Sequence, residues 1–185
     1  TGTDGRIRFS DVFKRLLPLF VFILLITVDQ LTKSYFKYLH DQSPWTHTDV
    51  ISGFFSFVYT FNTGAAWSFL SGKEWAQTFF KVLTAVAIVV FYIYYIFACK
   101  KNYALLRTAL LLIIAGTLGN FIDRLAYNGV VDFLSFTFGS YGFPIFNLAD
   151  AFMCIGVALL LIHYLFFDNN ALFGKRKKDG TKISD

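Results

Sequence analysis

Residues 108–124 read TALLLIIAGTLGNFIDR. From Thr108 to Ile122 the run carries no charge, and Asn120, Asp123 and Arg124 close it. A helix needs roughly 20 mostly apolar residues to cross the hydrocarbon core of a bilayer. Extended back to Tyr103, this run qualifies, and three others flank it. The first covers about 16–36 and is charge-free from Leu16 to Val28 before Asp29 and Lys33. The next covers about 78–99, charge-free from Val82, and the last about 148–167, charge-free from Ala151. Composition agrees. Of 185 residues 56% are hydrophobic and 16% charged, with mean hydropathy +0.54. Soluble domains carry about 25% charged residues, so an ordinary soluble domain is excluded, as are disordered and repeat proteins. The expectation is one integral membrane domain over 1–185, with spans 16–36, 78–99, 103–122 and 148–167 and outer loops 37–77 and 123–147.

Basic residues predict the orientation. Twelve of the 17 Lys and Arg fall before the first span, between spans two and three, or in the tail. With four spans these segments share one side, which places both termini in the cytoplasm and loops 37–77 and 123–147 outside. The +5 net charge is then mainly a topology signal, and no nucleic-acid partner is expected. Cys99 and Cys154 sit at different depths of their spans and do not suggest a disulfide. A cleaved signal peptide is a poor reading of the first run, because no small-residue cleavage site follows it.

The outer loops carry strand signals. Gly53–Phe61, GFFSFVYTF, alternates with Phe55, Phe57, Tyr59 and Phe61 on one face, a period of two. Val130, Val131, Phe133, Leu134, Phe136 and Phe138 form a second β-favouring stretch. A small extracytoplasmic sheet on the membrane surface fits both.

Charged and amide groups collect at the outer span ends, where ionisable residues are costly and point to function. Asp29 and Lys33 are four apart on one helical face. Asn120 and Asp123, and Asn147 and Asp150, are each three apart. Asn62 follows the first strand, and Asp132 lies in Val130-Val131-Asp132-Phe133. Structural roles compete for most of them. Asp29–Lys33 reads equally as an intrahelical pair, and Asp123 as a partner of Arg124 or Lys33. Asn120 and Asn147 suit helix–helix hydrogen bonding, and Asn147 or Asp150 suits a helix cap. Asp132 and Asp150 resist such readings, because no basic residue lies within four positions of either. If they meet, two carboxylates share a poorly hydrated site and one keeps its proton. A protonated acid beside an ionised base is aspartic-peptidase chemistry.

Other chemistries fit less well. There is no HExxH for zinc, no GxSxG, no Walker A and no GxGxxG, so neither metal nor other cofactor is expected. A transporter would be expected to carry polar residues through the bilayer depth, whereas these spans are apolar in their middles. A lipid-binding scaffold would explain the aromatic strands but not the isolated aspartates.

Five motifs together resemble those of bacterial lipoprotein signal peptidase, also called signal peptidase II. They are Asp29-Gln30-Leu31-Thr32-Lys33, Asn62-Thr63-Gly64-Ala65-Ala66-Trp67, Gly116–Arg124, Val130–Phe133 and Phe146-Asn147-Leu148-Ala149-Asp150, with Gly156 downstream. The resemblance spans roughly 16–167. It implies an intramembrane aspartic endopeptidase of the bacterial inner membrane. Such an enzyme removes signal peptides from diacylglyceryl-modified prolipoproteins, just before the lipidated cysteine. It implies catalytic roles for Asp132 and Asp150. It implies supporting roles for Lys33, Asn62, Gly64, Asn120, Arg124 and Asn147, and architectural ones for Asp29 and Asp123. Lys33, Asn62 and Arg124 are expected to orient substrate carbonyls and the lipid headgroup region. Partners implied are lipidated prolipoproteins, membrane lipids and globomycin-type cyclic peptide inhibitors. Spacing alone leaves Asp123, a third motif aspartate, as the alternative to Asp132 in the pair. Asp132 is preferred because Arg124 beside Asp123 favours a salt bridge there.

Overall fold

The computed structural model describes residues 9–43, 47–64, 74–100 and 103–167. Helix α1 spans Phe9–Gln42, α2 Glu74–Lys100, α3 Ala104–Tyr127 and α4 Leu148–Ile162, the last continued by a π-helical turn over His163–Phe167. The segments Leu16–Gln42, Trp75–Lys100, Ala104–Tyr127 and Leu148–Phe167 are each long and apolar enough to cross a membrane. The strands are β1 His47–Ile51, β2 Phe55–Asn62, β3 Val130–Phe138 and β4 Tyr141–Gly142. They form one antiparallel sheet in the order β1-β2-β3-β4.

Helices α1 and α2 begin ahead of their expected limits, at Phe9 and Glu74, and two helix C-terminal ends differ as well. Helix α1 continues past 36 to Gln42, and α3 past 122 to Tyr127. Charge ends an apolar run but not a helix. Lys37 and Asp41, one turn apart, pair at 2.8 Å along the extension of α1. Helix α3 stops only at Asn128, which adopts a left-handed φ of 59° and donates its N–H to the Arg124 carbonyl. Asp123 and Arg124 are therefore helical residues rather than loop residues. Strands β1 and β4 lay outside the sequence reading. Strand β1 is exposed along its length and β4 has two residues, so neither shows an apolar period.

The alternation along β2 is also broken. Phe57 pairs with Leu134 and Thr60 with Asp132, so three steps on β2 match two on β3. This extra residue is a β-bulge, which reverses the faces of everything beyond it. Thr60 and Asn62 thereby fall on the face of Phe55 and Phe57, where Phe61 was expected. Asn62 lies opposite Val130 and beside Asp132.

Helix α3 is the centre of the bundle. In its most apolar stretch 56% of residues are buried, against 17% or less in the other three spans. Those three turn large apolar side chains outward, such as Phe20, Val86 and Leu161, as a lipid environment permits. Close approach of α3 to α4 and α1 needs missing side chains. A Cβ at Gly116 would overlap the Ala149 carbonyl, one at Gly119 would lie 2.5 Å from Asp29 Oδ2, and one at Gly156 2.7 Å from the Ala109 carbonyl. His163 is buried against the Tyr103 ring, 5.1 Å between centroids.

Overpacking a close contact costs about 1–3 kcal/mol. Gly116→Ala should therefore lower the melting temperature in detergent by about 5 °C. Gly142→Ala, where a Cβ meets nothing within 4 Å, should change it little. Equal melting of both variants would refute the close α3–α4 contact.

Candidate active site

The end of the bundle that carries the sheet brings the predicted polar residues together. Asn147 precedes α4 in an extended conformation, as an N-cap must. Its Oδ1 accepts the Asp150 N–H at 3.0 Å, and Asp150 Oδ2 accepts the Asn147 N–H at 3.2 Å. This capping box ties Asp150 to the first turn, where the helix dipole favours a negative charge. Asp132 arrives on β3 from the other direction. Asn147 Nδ2 donates to Asp132 Oδ1 at 2.7 Å, and Asn62 Nδ2 to Asp132 Oδ2 at 3.1 Å. Asn62 Oδ1 in turn accepts the Gly64 N–H at 2.9 Å. One asparagine, Asn147, thus touches both aspartates.

Behind this pair stands a buried ionic cluster. Lys33, 2% exposed, sits between Asp29 Oδ2 at 2.9 Å and Asp123 Oδ2 at 3.2 Å. Its ammonium also donates to Asn120 Oδ1 at 2.9 Å. Asn120 Nδ2 donates to Asp150 Oδ1 at 2.7 Å, and Asn120 Oδ1 accepts a second bond from Asn147 at 3.1 Å. Asp29 Oδ1 accepts the Ala149 N–H at 2.9 Å, and Asp123 Oδ2 accepts the Val131 N–H at 3.1 Å. The cluster therefore holds α1, α3, α4 and β3 to one another.

A cleft of about 500 Å³ opens over the pair. Asp132, Asp150, Asn62, Asn120 and Arg124 line its polar part, and Phe143, Pro144, Ile145 and Phe146 form an apolar wall. Arg124 is partly buried. Its guanidinium lies 5.5 Å from the Phe80 ring and reaches the carbonyls of Asn120 and Gly64 at 3.4 and 3.5 Å. Burial, reinforced by the nearby Asp150 charge, pushes the Asp132 carboxyl up to about 7, despite the opposing hydrogen bonds from Asn62 and Asn147.

The structural readings of most of these residues hold. Asp29 and Lys33 do form an intrahelical pair, Asn147 and Asp150 do cap α4, and Asn120 does bond across helices. Asp123 pairs with Lys33 rather than Arg124, and it stands behind the cleft wall. Lys33 departs from expectation. Enclosed by three acceptors, it is not open to a substrate, whereas Asn62 and Arg124 face the cleft. Ala65, Ala66 and Trp67 of the second motif lie outside the described residues. Gln30 was not singled out, yet its Nε2 reaches Asp29 Oδ2, the Gly119 carbonyl and Asp123 Oδ1 at 3.2, 3.1 and 3.0 Å. Thr84, Thr117, Met153 and Cys154 also line the cleft without having been assigned to the site. Helical spacing held the signal for three of these. Thr117 is three before Asn120, and Met153 and Cys154 are three and four after Asp150.

Removing one partner of a buried ion pair costs about 3–5 kcal/mol, because the other charge stays buried and unpaired. Lys33→Met should therefore destabilise strongly. Asp29→Asn combined with Lys33→Met, which restores the cluster's net charge, should recover part of the loss. Thermal melts of both variants test this, and equal losses would refute the pairing.

The comparisons with known proteins agree with this geometry. The family model for signal peptidase II matches residues 21–166. A lipoprotein signal peptidase of Bacillus pumilus is 42% identical over 161 residues, covering 85% of this chain and 94% of the relative. One from Bacillus subtilis is 39% identical, covering 85% of this chain and 95% of the relative. A bacterial membrane enzyme solved by the in meso method at 2.3 Å resolution superposes with a TM-score of 0.69 at 30% identity. That superposition covers 87% of this chain and 93% of the other. A match of that extent, over nearly the whole length of its relatives, means that the chain belongs to the signal peptidase II family.

Proposed function

We propose that Asp132 and Asp150 are the catalytic pair of this aspartic peptidase, and that they share one proton. The observation that carries the proposal is their joint exposure to one cleft through a common asparagine, with no basic side chain among the described residues bonded to either. The enzyme is a multi-pass protein of the inner membrane and removes signal peptides from prolipoproteins. In the reaction the ionised aspartate takes a proton from water. The water oxygen bonds to the scissile carbonyl carbon, and the carbonyl oxygen takes the proton of the other aspartate. The C–N bond of the resulting gem-diol then breaks. Its electron pair goes to nitrogen, which receives a proton from the first aspartate, and a diol hydroxyl proton returns to the second.

The finer reading follows the family resemblance: cleavage just before a diacylglyceryl-cysteine. Asn62, Asn120, Asn147 and Gly64 shape the pair, and Arg124 orients substrate carbonyls from its place on the cleft wall. Lys33, Asp29 and Asp123 hold the frame behind it. The apolar wall of Phe143–Phe146 suits the lipidated part of the substrate. Globomycin-type cyclic peptides would occupy the same cleft and bind against the pair. Both termini face the cytoplasm, with the pair near the outer interface.

Asp132→Asn and Asp150→Asn should each abolish cleavage of a lipidated prolipoprotein in detergent while the protein stays folded. The double variant should be no worse, since groups acting as one unit are not additive. Activity of the parent should fall as pH rises through about 7, where Asp132 gives up its proton. A pH-independent rate between 6 and 9 would contradict a shared proton, and an active Asp132→Asn would remove it from the pair.

For orientation, a reporter after Lys178 should read cytoplasmic and one within 41–49 extracytoplasmic. The same sidedness for both would overturn the proposed topology.

A further inference from the structure

The two aspartates are held differently, and the difference lies in how the neighbouring amides are locked. Asn120 Oδ1 faces the Lys33 ammonium and Asn147 Nδ2, both donors. A flipped Asn120 amide would put its own N–H groups against them, so Nδ2 must point to Asp150 Oδ1. Asn147 is locked in turn by the Asp150 N–H on its Oδ1, and Asn62 by the Gly64 N–H. All four carboxyl oxygens therefore face an N–H donor.

The quality of those donors is unequal. The Asn120 amide on Asp150 is polarised from behind by an ammonium 2.9 Å from its oxygen. The other Asp150 oxygen takes a main-chain N–H at the start of α4, where the helix dipole favours an anion. Asp132 sits on a strand and takes bonds from the amides of Asn62 and Asn147. Among the described residues, neither of those amides bonds to a cation. Among the described residues, the charged groups around the pair are Asp29 and Lys33 from α1, Asp123 and Arg124 from α3, and the two aspartates themselves.

We infer that Lys33 acts on catalysis through Asn120: it fixes the Asn120 amide so that Asp150 stays the ionised base and Asp132 carries the shared proton. Lys33 and Asn120 are thus positioning residues, and the inference rests on the catalytic pair proposed above. In the balanced sequence given there, Asp150 takes the water proton and later delivers one to the leaving nitrogen. Asp132 protonates the carbonyl oxygen and recovers a proton as the diol collapses.

The test uses Asn120→Asp, nearly isosteric, with a diacylglyceryl-modified prolipoprotein as substrate. At pH 7.5 the new carboxylate sets a negative oxygen against Asp150 in place of an N–H. The kcat should fall about a hundredfold with KM little changed. As pH falls toward 5.5 the new carboxyl gains a proton, regains a donor for Asp150, and kcat should rise at least tenfold relative to the parent measured at the same pH. A second measurement isolates Lys33. The charge-compensated Asp29→Asn/Lys33→Met change should lower kcat about tenfold in the parent, and by less than twofold when Asn120 is already Ala. A flat acid profile for Asn120→Asp, or independent losses in the second series, overturns the inference. If Asp132→Asn retains activity, the catalytic pair itself is at fault, which separates the two failures.

Discussion

One ammonium group organises the sheet-bearing end of this protein. Lys33 reaches it on α1, and its acceptors are Asp29, Asp123 and Asn120. Each acceptor passes the constraint on: Asp29 to the first turn of α4 through Ala149, Asp123 to β3 through Val131, and Asn120 to Asp150. A charge in a poorly hydrated interior is tolerated only when it is paired and its remaining donors are used. Here that requirement sets the relative positions of three helices and a strand.

Two carboxylates gather at the start of α4 as a consequence. Asp150 caps from within the helix, and Asp29 approaches from α1 onto the Ala149 N–H. The unpaired N–H groups of a helix start attract anions, so the architecture that anchors α4 also presents Asp150 at the cleft. Missing side chains make the arrangement possible. Gly119 leaves room for the Asp29 carboxylate beside α3, and Gly116 lets the Ala149 carbonyl approach. The short polar bonds exist because the backbones are this close.

The sheet solves a different problem, which is to deliver Asp132 and Asn62 to the same side. A regular β2 would place Asn62 on the opposite face from Phe55 and Phe57. The bulge between Phe57 and Thr60 reverses the phase, and Asn62 meets the Asp132 carboxylate. The strand stays attached to the bundle through aromatic packing. Phe36 of α1 stacks on Phe133 at 4.5 Å and touches Phe57 at 5.0 Å.

Long charge-free runs, motif order and isolated aspartates were enough to establish four spans, a strand pair and the family resemblance. Each of these depends on residues near one another in the chain, where period and hydropathy act directly. The helix ends were less legible, because Lys37–Asp41 and the left-handed Asn128 carry helices beyond the apolar zone. Only the tertiary structure decided that Lys33 is enclosed while Arg124 faces the cleft, since both are basic residues at the sheet-bearing ends of spans. It also decided which amide serves which carboxylate. Those side-chain partners are 15 to 70 residues apart, and no local pattern encodes contacts made by packing α1, α3, β3 and α4 around one buried charge.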